Sequence, residues 1–212
     1  GLLELGINAI RIGKPVKVRE TLRRATLDYN INNHPLNEEL EIIQDENRSI
    51  QAQLPKLKGK EKGLAHKDIH RNQKEIKNIE RRITEEIIGN AEVICCTNIG
   101  AGHHILGEKK FPIVLIDEAT QASEPSALVP ITRGCRQLFL VGDHKQLPPT
   151  VLSKEANGLE ISLFERLINS DLEPKLLNTQ YRMHPVIREF PSMRFYENKL
   201  LDGDGLEKRD TP

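Results

Sequence analysis

One short stretch, Ile113-Val114-Leu115-Ile116-Asp117-Glu118, limits most strongly what this chain can fold into. Its four consecutive apolar residues predict a strand that is buried on both faces, as in a parallel sheet. Two carboxylates follow at once, and ligands bind at the carboxyl ends of the strands in open parallel sheets. The pair can hold Mg²⁺ and orient a water for nucleotide hydrolysis. It can equally begin a helix, because acidic residues favour helix N-termini.

Three motifs follow one another in the second half of the chain: DEATQ at residues 117–121, GDHKQLPP at residues 142–149 and QYRMHP at residues 180–185. They resemble motifs II, III and IV of superfamily 1 helicases, in the up-frameshift and senataxin-like branch that is also called the DNA2/NAM7 type. The resemblance is strong over residues 90–200 and weak over residues 1–35. It implies an ATP-dependent enzyme that acts on RNA or DNA.

The resemblance implies a role for each matching side chain, with ATP and Mg²⁺ as cofactors. Asp117 would hold Mg²⁺ through water, and Glu118 would position or deprotonate the attacking water. Gln146 would sense the γ-phosphate and Tyr181 would stack on adenine. Arg182 would offer its planar fork to the γ-phosphate as the transition state forms. As an isolated pair, Tyr181 and Arg182 would more simply be an aromatic and a charged residue packed at a sheet edge.

The order of the predicted elements indicates an α/β fold, a partial RecA-like parallel sheet flanked by helices with an inserted antiparallel helical hairpin. We expect residues 1–35 to be the first part of RecA-like domain 1 and residues 36–89 to be the hairpin. Residues 90–212 would complete that domain. Before the hairpin we expect a helix that ends at Gly6 and a strand at 9–12 that is stopped by Gly13 and Pro15. After the hairpin we expect strands at 92–97 and 175–178 and helices at 123–131 and 159–168. A last helix should begin at His184 and Pro185.

Residues 36–89 contain two heptad-like series that predict two helices. Gly59 and Gly63 are expected to break the pattern between them and mark a turn. Pro55 should end or kink the first helix, and Asn47 can fix the register of the seam. The first series is Leu36, Leu40, Ile43, Asn47, Ile50, Leu54 and Leu57, and the second is Ile69, Asn72, Ile76, Ile79, Ile83 and Ile87.

Charge is sorted within the same segment. Residues 36–48 carry a net charge of −4, whereas residues 56–82 hold ten basic and four acidic side chains, a net charge of +6. The two helices can simply be solvated surfaces that pair opposite charges. The basic tip, with Lys58, Lys60 and Lys62, can also contact nucleic-acid phosphates. The sequence leaves both interpretations open.

The segment after the predicted strand at 92–97 is rich in small residues. A hydroxyl at Thr97 and backbone amides around Asn98, Gly100 and Gly102 suit contacts with phosphate or sugar. By itself the pattern indicates a plain turn. It is similar to motif Ic of the helicases, which contacts nucleic acid, and the resemblance therefore favours binding of single-stranded RNA or DNA here.

Composition limits the remaining possibilities. Lysine plus arginine and aspartate plus glutamate both number 31, so a basic surface must be local. The cysteines, Cys95, Cys96 and Cys135, lack metal-like spacing, and the adjacent pair is predicted to be buried in a strand. That pattern favours a reducing compartment, cytoplasmic or nuclear. Because no apolar run approaches the length of a membrane span, no membrane partner is expected.

One element of the helicase pattern is missing from these residues. No G-x-x-x-x-G-K-[ST] loop is present to hold phosphates, and we expect no second RecA-like domain. We therefore expect a truncated helicase core that hydrolyses ATP poorly by itself and whose partners are the P-loop region and second RecA-like domain. The alternatives are a catalytically inactive nucleic-acid-binding or scaffold module, and a helical-hairpin interaction protein with a relic sheet.

Overall fold

Short parallel strands and helices make up the structure, a computed structural model that describes residues 1–13 and 20–206. The chain divides into two compact units. Unit one contains residues 1–112 and 129–136, and unit two contains residues 113–128 and the chain from residue 137 onward. Pro15, expected to follow the first strand, lies outside the described residues.

The α-helices differ widely in length, from 4 residues in α1 to 32 residues in α4. They are α1 Glu20–Arg23, α2 Leu27–Asn32, α3 Asn37–Gln53, α4 Gly59–Asn90, α5 Glu124–Ile131, α6 Leu163–Ile168 and α7 Pro185–Phe195. Short 3-10 helices occupy Leu2–Leu5, Leu54–Lys56, Ile99–Gly102, His104–Leu106, Ala119–Gln121 and Lys154–Glu160.

The strands form three parallel pairs within the described residues. They are β1 Ala9–Arg11 with β2 Val93–Cys95, β3 Ile113–Ile116 with β4 Gln137–Leu140, and β5 Thr179–Gln180 with β6 Leu201–Asp202. Parallel strands separated by helices are typical of an α/β protein. The fold class predicted from the sequence is confirmed at this level.

Unit one has an apolar core beside its strand pair. Ile10 of β1, Leu27 of α2, Ile88 of α4 and Leu106 are all buried and pack together. Thr26 caps α2, because its hydroxyl accepts a hydrogen bond from the Tyr29 amide. The core therefore fixes β1 and β2 against the end of α4.

Helices α3 and α4 pack along a shared apolar seam. Leu40, near the start of α3, packs with Ile79 and Ile83, near the end of α4, so the helices run in opposite directions. Every residue of the two heptad-like series is buried or half-buried. Helix α3 ends at Gln53, two residues before Pro55, as the proline predicts.

Two asparagines interrupt this seam. Asn47 lies seven residues after Leu40 and Asn72 lies seven before Ile79, so both amides fall in the same layer of the seam. Asn47 is 7% exposed and Asn72 is 5% exposed. Within the described part of the chain, Asn47 Oδ1 and Asn72 Nδ2 have no hydrogen-bond partner. Buried polar atoms without partners cost free energy, so this layer weakens the helix pair.

Replacing Asn47 with Leu and Asn72 with Ile should stabilise unit one. The double variant removes both buried amides and fills the layer with alkyl groups, a gain of about 1–3 kcal/mol in the free energy of unfolding. Urea unfolding followed by circular dichroism measures the change. The matched control, Gln51→Leu with Gln73→Ile, adds the same groups at exposed positions of the same helices. A double variant less stable than the wild type would mean that the two amides stabilise the seam.

The prediction that β3 is buried on both faces is wrong. Val114 and Ile116 are buried, but Ile113 is 62% exposed and Leu115 is 63% exposed. Side chains alternate between the two faces of a strand. In the described structure only the face that carries Val114 and Ile116 is covered by protein.

Three further expectations need correction. Gly63 does not break the helical pattern, because α4 begins at Gly59, whose φ is +53°, and continues through residue 63. The helix expected at 159–168 begins only at Leu163, since the Ser162 hydroxyl accepts a hydrogen bond from the Glu165 amide and caps it. Residues 175–178 are irregular, and the strand follows them at Thr179–Gln180.

None of the helices in residues 1–13 and 20–206 has the length and apolar character that a membrane crossing needs.

Candidate functional site

The ends of β3 and β4 place two of the sequence motifs side by side. The strands are parallel with Ile116 opposite Leu140. Beyond the ladder, the Val141 amide donates to the Ile116 carbonyl at 2.9 Å, and the Ala119 amide donates to the Val141 carbonyl at 2.8 Å. Backbone hydrogen bonds therefore hold the turn at residues 117–121 against the start of the loop at residues 142–149.

Both acidic residues of the first motif are exposed at this edge. Asp117 Oδ1 accepts a hydrogen bond from the Glu118 amide at 3.0 Å. Glu118 has a left-handed backbone, with φ 51° and ψ 40°, which a residue other than glycine rarely adopts. Its Oε2 accepts a hydrogen bond from Gln121 Nε2 at 3.2 Å. The turn thus stores some backbone strain while directing two neighbouring carboxylates to solvent.

Gly142 allows the two motifs to approach each other closely. A Cβ at this position would lie 3.1 Å from the Thr120 amide nitrogen and 3.2 Å from the Ala119 nitrogen. The Ala119 amide already donates to the Val141 carbonyl, so a larger residue at position 142 would push the turn away from the loop.

Gln146 is held from within its own loop. Its Nε2 donates to Asp143 Oδ2 at 2.7 Å, and the Lys145 amide donates to Asp143 Oδ1 at 3.0 Å. Partial burial tends to raise the pKa of Asp143, but hydrogen bonds from Tyr196, Gln146 and the Lys145 amide outweigh it, and the pKa is lowered overall. The ionised carboxylate is therefore the form that holds this loop.

Gln180 organises the turn that carries Tyr181 and Arg182. Its Oε1 accepts hydrogen bonds from the Arg182 amide at 2.8 Å and the Met183 amide at 2.7 Å. Its Nε2 donates to the Met183 carbonyl at 2.8 Å and to Asp202 Oδ1 at 2.7 Å. The half-buried side-chain amide of Gln180 therefore fixes the backbone of the turn, from which the exposed side chains of Tyr181 and Arg182 project.

Gly203 provides the surface on which the Tyr181 ring lies. A Cβ at residue 203 would come within 2.1 Å of Tyr181 Cε1, so any side chain there would displace the ring. The Tyr181 side chain is still 68% exposed. An exposed aromatic ring whose position is set by its neighbours can stack on a planar ligand.

An ion pair joins α7 to Asp202 of β6, the residue that also accepts a hydrogen bond from Gln180. Arg188 donates to Asp202 through Nε at 3.2 Å and through Nη2 at 2.6 Å. Such a bidentate, charge-assisted pair is stronger than hydrogen bonds between neutral groups. The Arg188 and Gln180 hydrogen bonds lower the pKa of Asp202. His184 caps α7, because its Nδ1 accepts a hydrogen bond from the Val186 amide at 3.3 Å.

Replacing Asp202 with Asn should change how unit two responds to acid. Because the folded-state pKa of Asp202 is lowered, its carboxylate contributes stability above the ordinary aspartate pKa of about 4 and loses it as pH falls through the lowered value. The variant should unfold at a lower temperature at pH 7 and show a shallower loss of stability below about pH 4. Thermal unfolding across pH measures this, with Asp204→Asn as the control. An unchanged acid limb would contradict the assignment.

The segment at residues 97–102 lines a cavity in unit one. The Thr97 hydroxyl accepts a hydrogen bond from the Gly100 amide at 3.1 Å. Thr97 and Gly100, with Arg11 of β1, border a cavity of about 860 Å³. Asn98 and Gly102 begin and end this turn, and a Cβ at Gly102 would lie 3.0 Å from Val129 Cγ1.

The adjacent thiols also line this cavity, and the prediction that they are buried is wrong. Cys95 and Cys96 are both exposed. Among the described residues, the end of β2 borders an open cavity.

Lys58, Lys60 and Lys62 surround the N-terminus of α4. Lys58 precedes the helix as its N-cap residue, and all three side chains are exposed. The positive end of the helix dipole disfavours cations at this position. Helix stability therefore does not explain why the lysines are here.

The structure brings some of the predicted residues together and leaves others in separate places. Asp117 and Glu118 directly follow β3 and Gln146 lies in the loop after the neighbouring β4, whereas Tyr181 and Arg182 follow β5 in a different strand pair. The sequence did not point to Asp143, Asp202 or Gly203, which hold the motif residues in place. Asp143 lies inside a motif and could have been found, but Asp202 and Gly203 lie outside every motif.

Comparison with known proteins agrees with the motifs. Residues 3–154 and residues 159–212 each match a family described as AAA domain. The regulator of nonsense transcripts 1 homolog of Neurospora crassa is 47% identical over 152 residues, covering 71% of this chain and 14% of that protein. The ATP-dependent helicase NAM7 of Saccharomyces cerevisiae is 51% identical over 134 residues, covering 62% of this chain and 14% of that protein.

A relative from fission yeast matches nearly the whole chain. The ATP-dependent helicase upf1 of Schizosaccharomyces pombe is 39% identical over 210 residues, covering 96% of this chain and 21% of that protein. The chain thus spans less than a quarter of the length of these three relatives. It belongs to the AAA domain family, in the up-frameshift and NAM7-like branch of superfamily 1 helicases.

Proposed function

We propose that this chain forms part of an ATP-dependent RNA or DNA helicase, in which ATP hydrolysis is coupled to movement along a single strand. The observation that carries the proposal is the β3–β4 edge, where the carboxylates of Asp117 and Glu118 lie beside the loop of Gln146. An exposed pair of acids can supply two parts of a site for phosphoryl transfer to water, a carboxylate that binds the metal ion and a group that orients the attacking water.

The donor atoms at this edge fit Mg²⁺. In the described residues no three His, Cys, Asp or Glu side chains gather into an all-protein metal site. Mg²⁺ is commonly bound through one or two carboxylates together with substrate phosphates and waters, so the exposed carboxylate of Asp117 is sufficient. When bound, the ion would neutralise charge on the phosphates.

The remaining side chains divide the work around the nucleotide. Glu118 orients the attacking water and accepts its proton, and its left-handed backbone sets the direction of the carboxylate. Gln146 contacts the γ-phosphate. Tyr181, whose ring lies against Gly203, stacks on the adenine. Arg182 places its guanidinium against the γ-phosphate.

Nucleic acid would bind along unit one. The cavity beside Thr97 and Gly100 offers a hydroxyl and close backbone approach, and Arg11 adds a positive charge. Residues Asn98 and Gly102 complete the same turn. The exposed lysines at the start of α4 supply further phosphate contacts, which explains cations placed where the helix dipole disfavours them.

The finer architecture belongs to the same proposal. Residues 1–35 and 90–212 would form RecA-like domain 1, and α3 with α4, residues 36–89, would be the inserted helical hairpin. The enzyme would also need a second RecA-like domain and a phosphate-binding loop, whose G-x-x-x-x-G-K-[ST] pattern does not occur in residues 1–212. A cytoplasmic or nuclear location fits this function.

Replacing Glu118 with Gln tests the nucleotide site. The variant is made in a chimera in which this chain replaces the matching segment of the Saccharomyces cerevisiae helicase NAM7. Glutamine keeps the shape but cannot accept a proton, so kcat should fall by about 10²–10⁴ while ATP affinity is retained. Nucleic-acid-stimulated ATPase rates and ATP binding are measured side by side, with Glu160→Gln as the exposed control.

A Glu118→Gln chimera with nearly unchanged turnover would remove Glu118 from the water-activating role. A chimera with the native residues that binds nucleic acid but hydrolyses no ATP would favour the alternative function, a catalytically inactive binding module.

Replacing Lys58, Lys60, Lys62 and Lys67 with Gln tests the nucleic-acid surface. Affinity of the 212-residue chain for single strands of any sequence should fall, and the slope of log K against log salt should become shallower by about 0.7 per lost contact. Fluorescence anisotropy at several salt concentrations measures both. The control variant removes four exposed lysines elsewhere: Lys110, Lys154, Lys175 and Lys199. If both variants behave alike, the basic tip is only a solvated surface.

A further inference from the structure

Tyr196 connects α7 to the loop of Gln146. Its hydroxyl donates a hydrogen bond to Asp143 Oδ2, the same oxygen that accepts Gln146 Nε2 at 2.7 Å. Tyr196 follows the last residue of α7 and lies 53 residues from Asp143 in the sequence. The phenol is half-buried, whereas Gln146 is exposed.

The protonation states of this cluster fix the direction of its hydrogen bonds. Burial, then the hydrogen bond and charge of Asp143, raise the pKa of Tyr196 to about 12, with a small opposite effect from a hydrogen bond with Gln146. The pKa of Asp143 is lowered overall. At neutral pH the phenol therefore donates and the carboxylate accepts, and the three side chains bond to one another.

We infer that Tyr196 is a positioning residue, which acts through Asp143 to fix the side-chain amide of Gln146 in place. The inference rests on the proposed role of Gln146 at the γ-phosphate. A glutamine side chain has three rotatable bonds, and an exposed one samples many rotamers unless it is held. The bond to Asp143 uses one of the two N–H groups of Gln146, and its acceptor is ionised, which strengthens the bond.

The carboxylate itself needs a second anchor to do this. The Lys145 amide holds Oδ1 from within the loop, and Tyr196 holds Oδ2 from outside it. Without the phenol, Asp143 and Gln146 would still bond, but the pair would be fixed only to its own loop. Tyr196 ties the pair to a helix.

That helix also begins beside the residues proposed to bind the nucleotide. Helix α7 starts at Pro185, directly after the turn of Tyr181 and Arg182, and its last residue precedes Tyr196. One helix of 11 residues therefore has a nucleotide-binding turn at one end and the anchor of the γ-phosphate sensor at the other.

The test uses the 212-residue chain and needs no nucleotide. The side-chain amide of Gln146, assigned with Gln146→Ala, is followed by ¹⁵N NMR in the wild type, in Tyr196→Phe and in the control Tyr29→Phe. Tyr196→Phe should lower the order parameter of this amide. It should also raise the pKa of Asp143, whose other neighbours are Gln146, the Lys145 amide and His144, because one stabilising hydrogen bond is lost. Tyr29→Phe should change neither quantity.

An amide that remains as rigid in Tyr196→Phe as in the wild type would overturn the inference. In the NAM7 chimera, Tyr196→Phe should lower kcat roughly tenfold with little change in the KM for ATP. A loosened amide with unchanged kcat would also overturn it. A native-sequence chimera without ATPase activity would instead refute the proposed function, while the NMR result would still decide whether Tyr196 positions Gln146.

Discussion

The parallel ladder between β3 and β4, extended by the hydrogen bond from the Ala119 amide to the Val141 carbonyl, is the interaction on which the candidate nucleotide site depends. It is made entirely by backbone atoms, so it does not use the side chains that we propose act on the nucleotide. Asp117 and Glu118 precede Ala119, and the loop of Gln146 follows Val141. Gly142 keeps the two backbones close enough for this bond to form.

Different interactions stabilise the interior of unit one and the loops of unit two. Unit one depends on apolar packing, with Ile79 and Ile83 fully buried between helices. The loops of unit two depend on two ionised carboxylates, Asp143 and Asp202, each accepting hydrogen bonds from residues distant in the sequence. Carboxylates lose their charge in acid. As the pH falls, the candidate nucleotide site should therefore lose its order at a higher pH than the helical seam does.

Local patterns predicted the elements that local physics determines. The apolar run at 113–116 and the His-Pro start of the last helix correspond to β3 and to the capped helix α7. Features that depend on distant partners could not be read in this way. Asp202 bonds to Gln180 across 22 residues, and no periodicity marks that contact. The burial of β3 was overestimated because an apolar run does not say how many layers cover it.

The exposed face of the β3–β4 pair has a consequence for the behaviour of the purified chain. Ile113, Leu115 and Phe139 are between 45% and 63% exposed and lie on adjacent strands. Within the part of the chain that the structure describes, this sheet has only two strands, and an apolar patch beside such short sheet edges is a surface on which identical molecules can associate. Self-association of the 212-residue chain should therefore increase with protein concentration. Polar substitutions on this face should improve the solubility of the chain more than the same substitutions at other exposed positions.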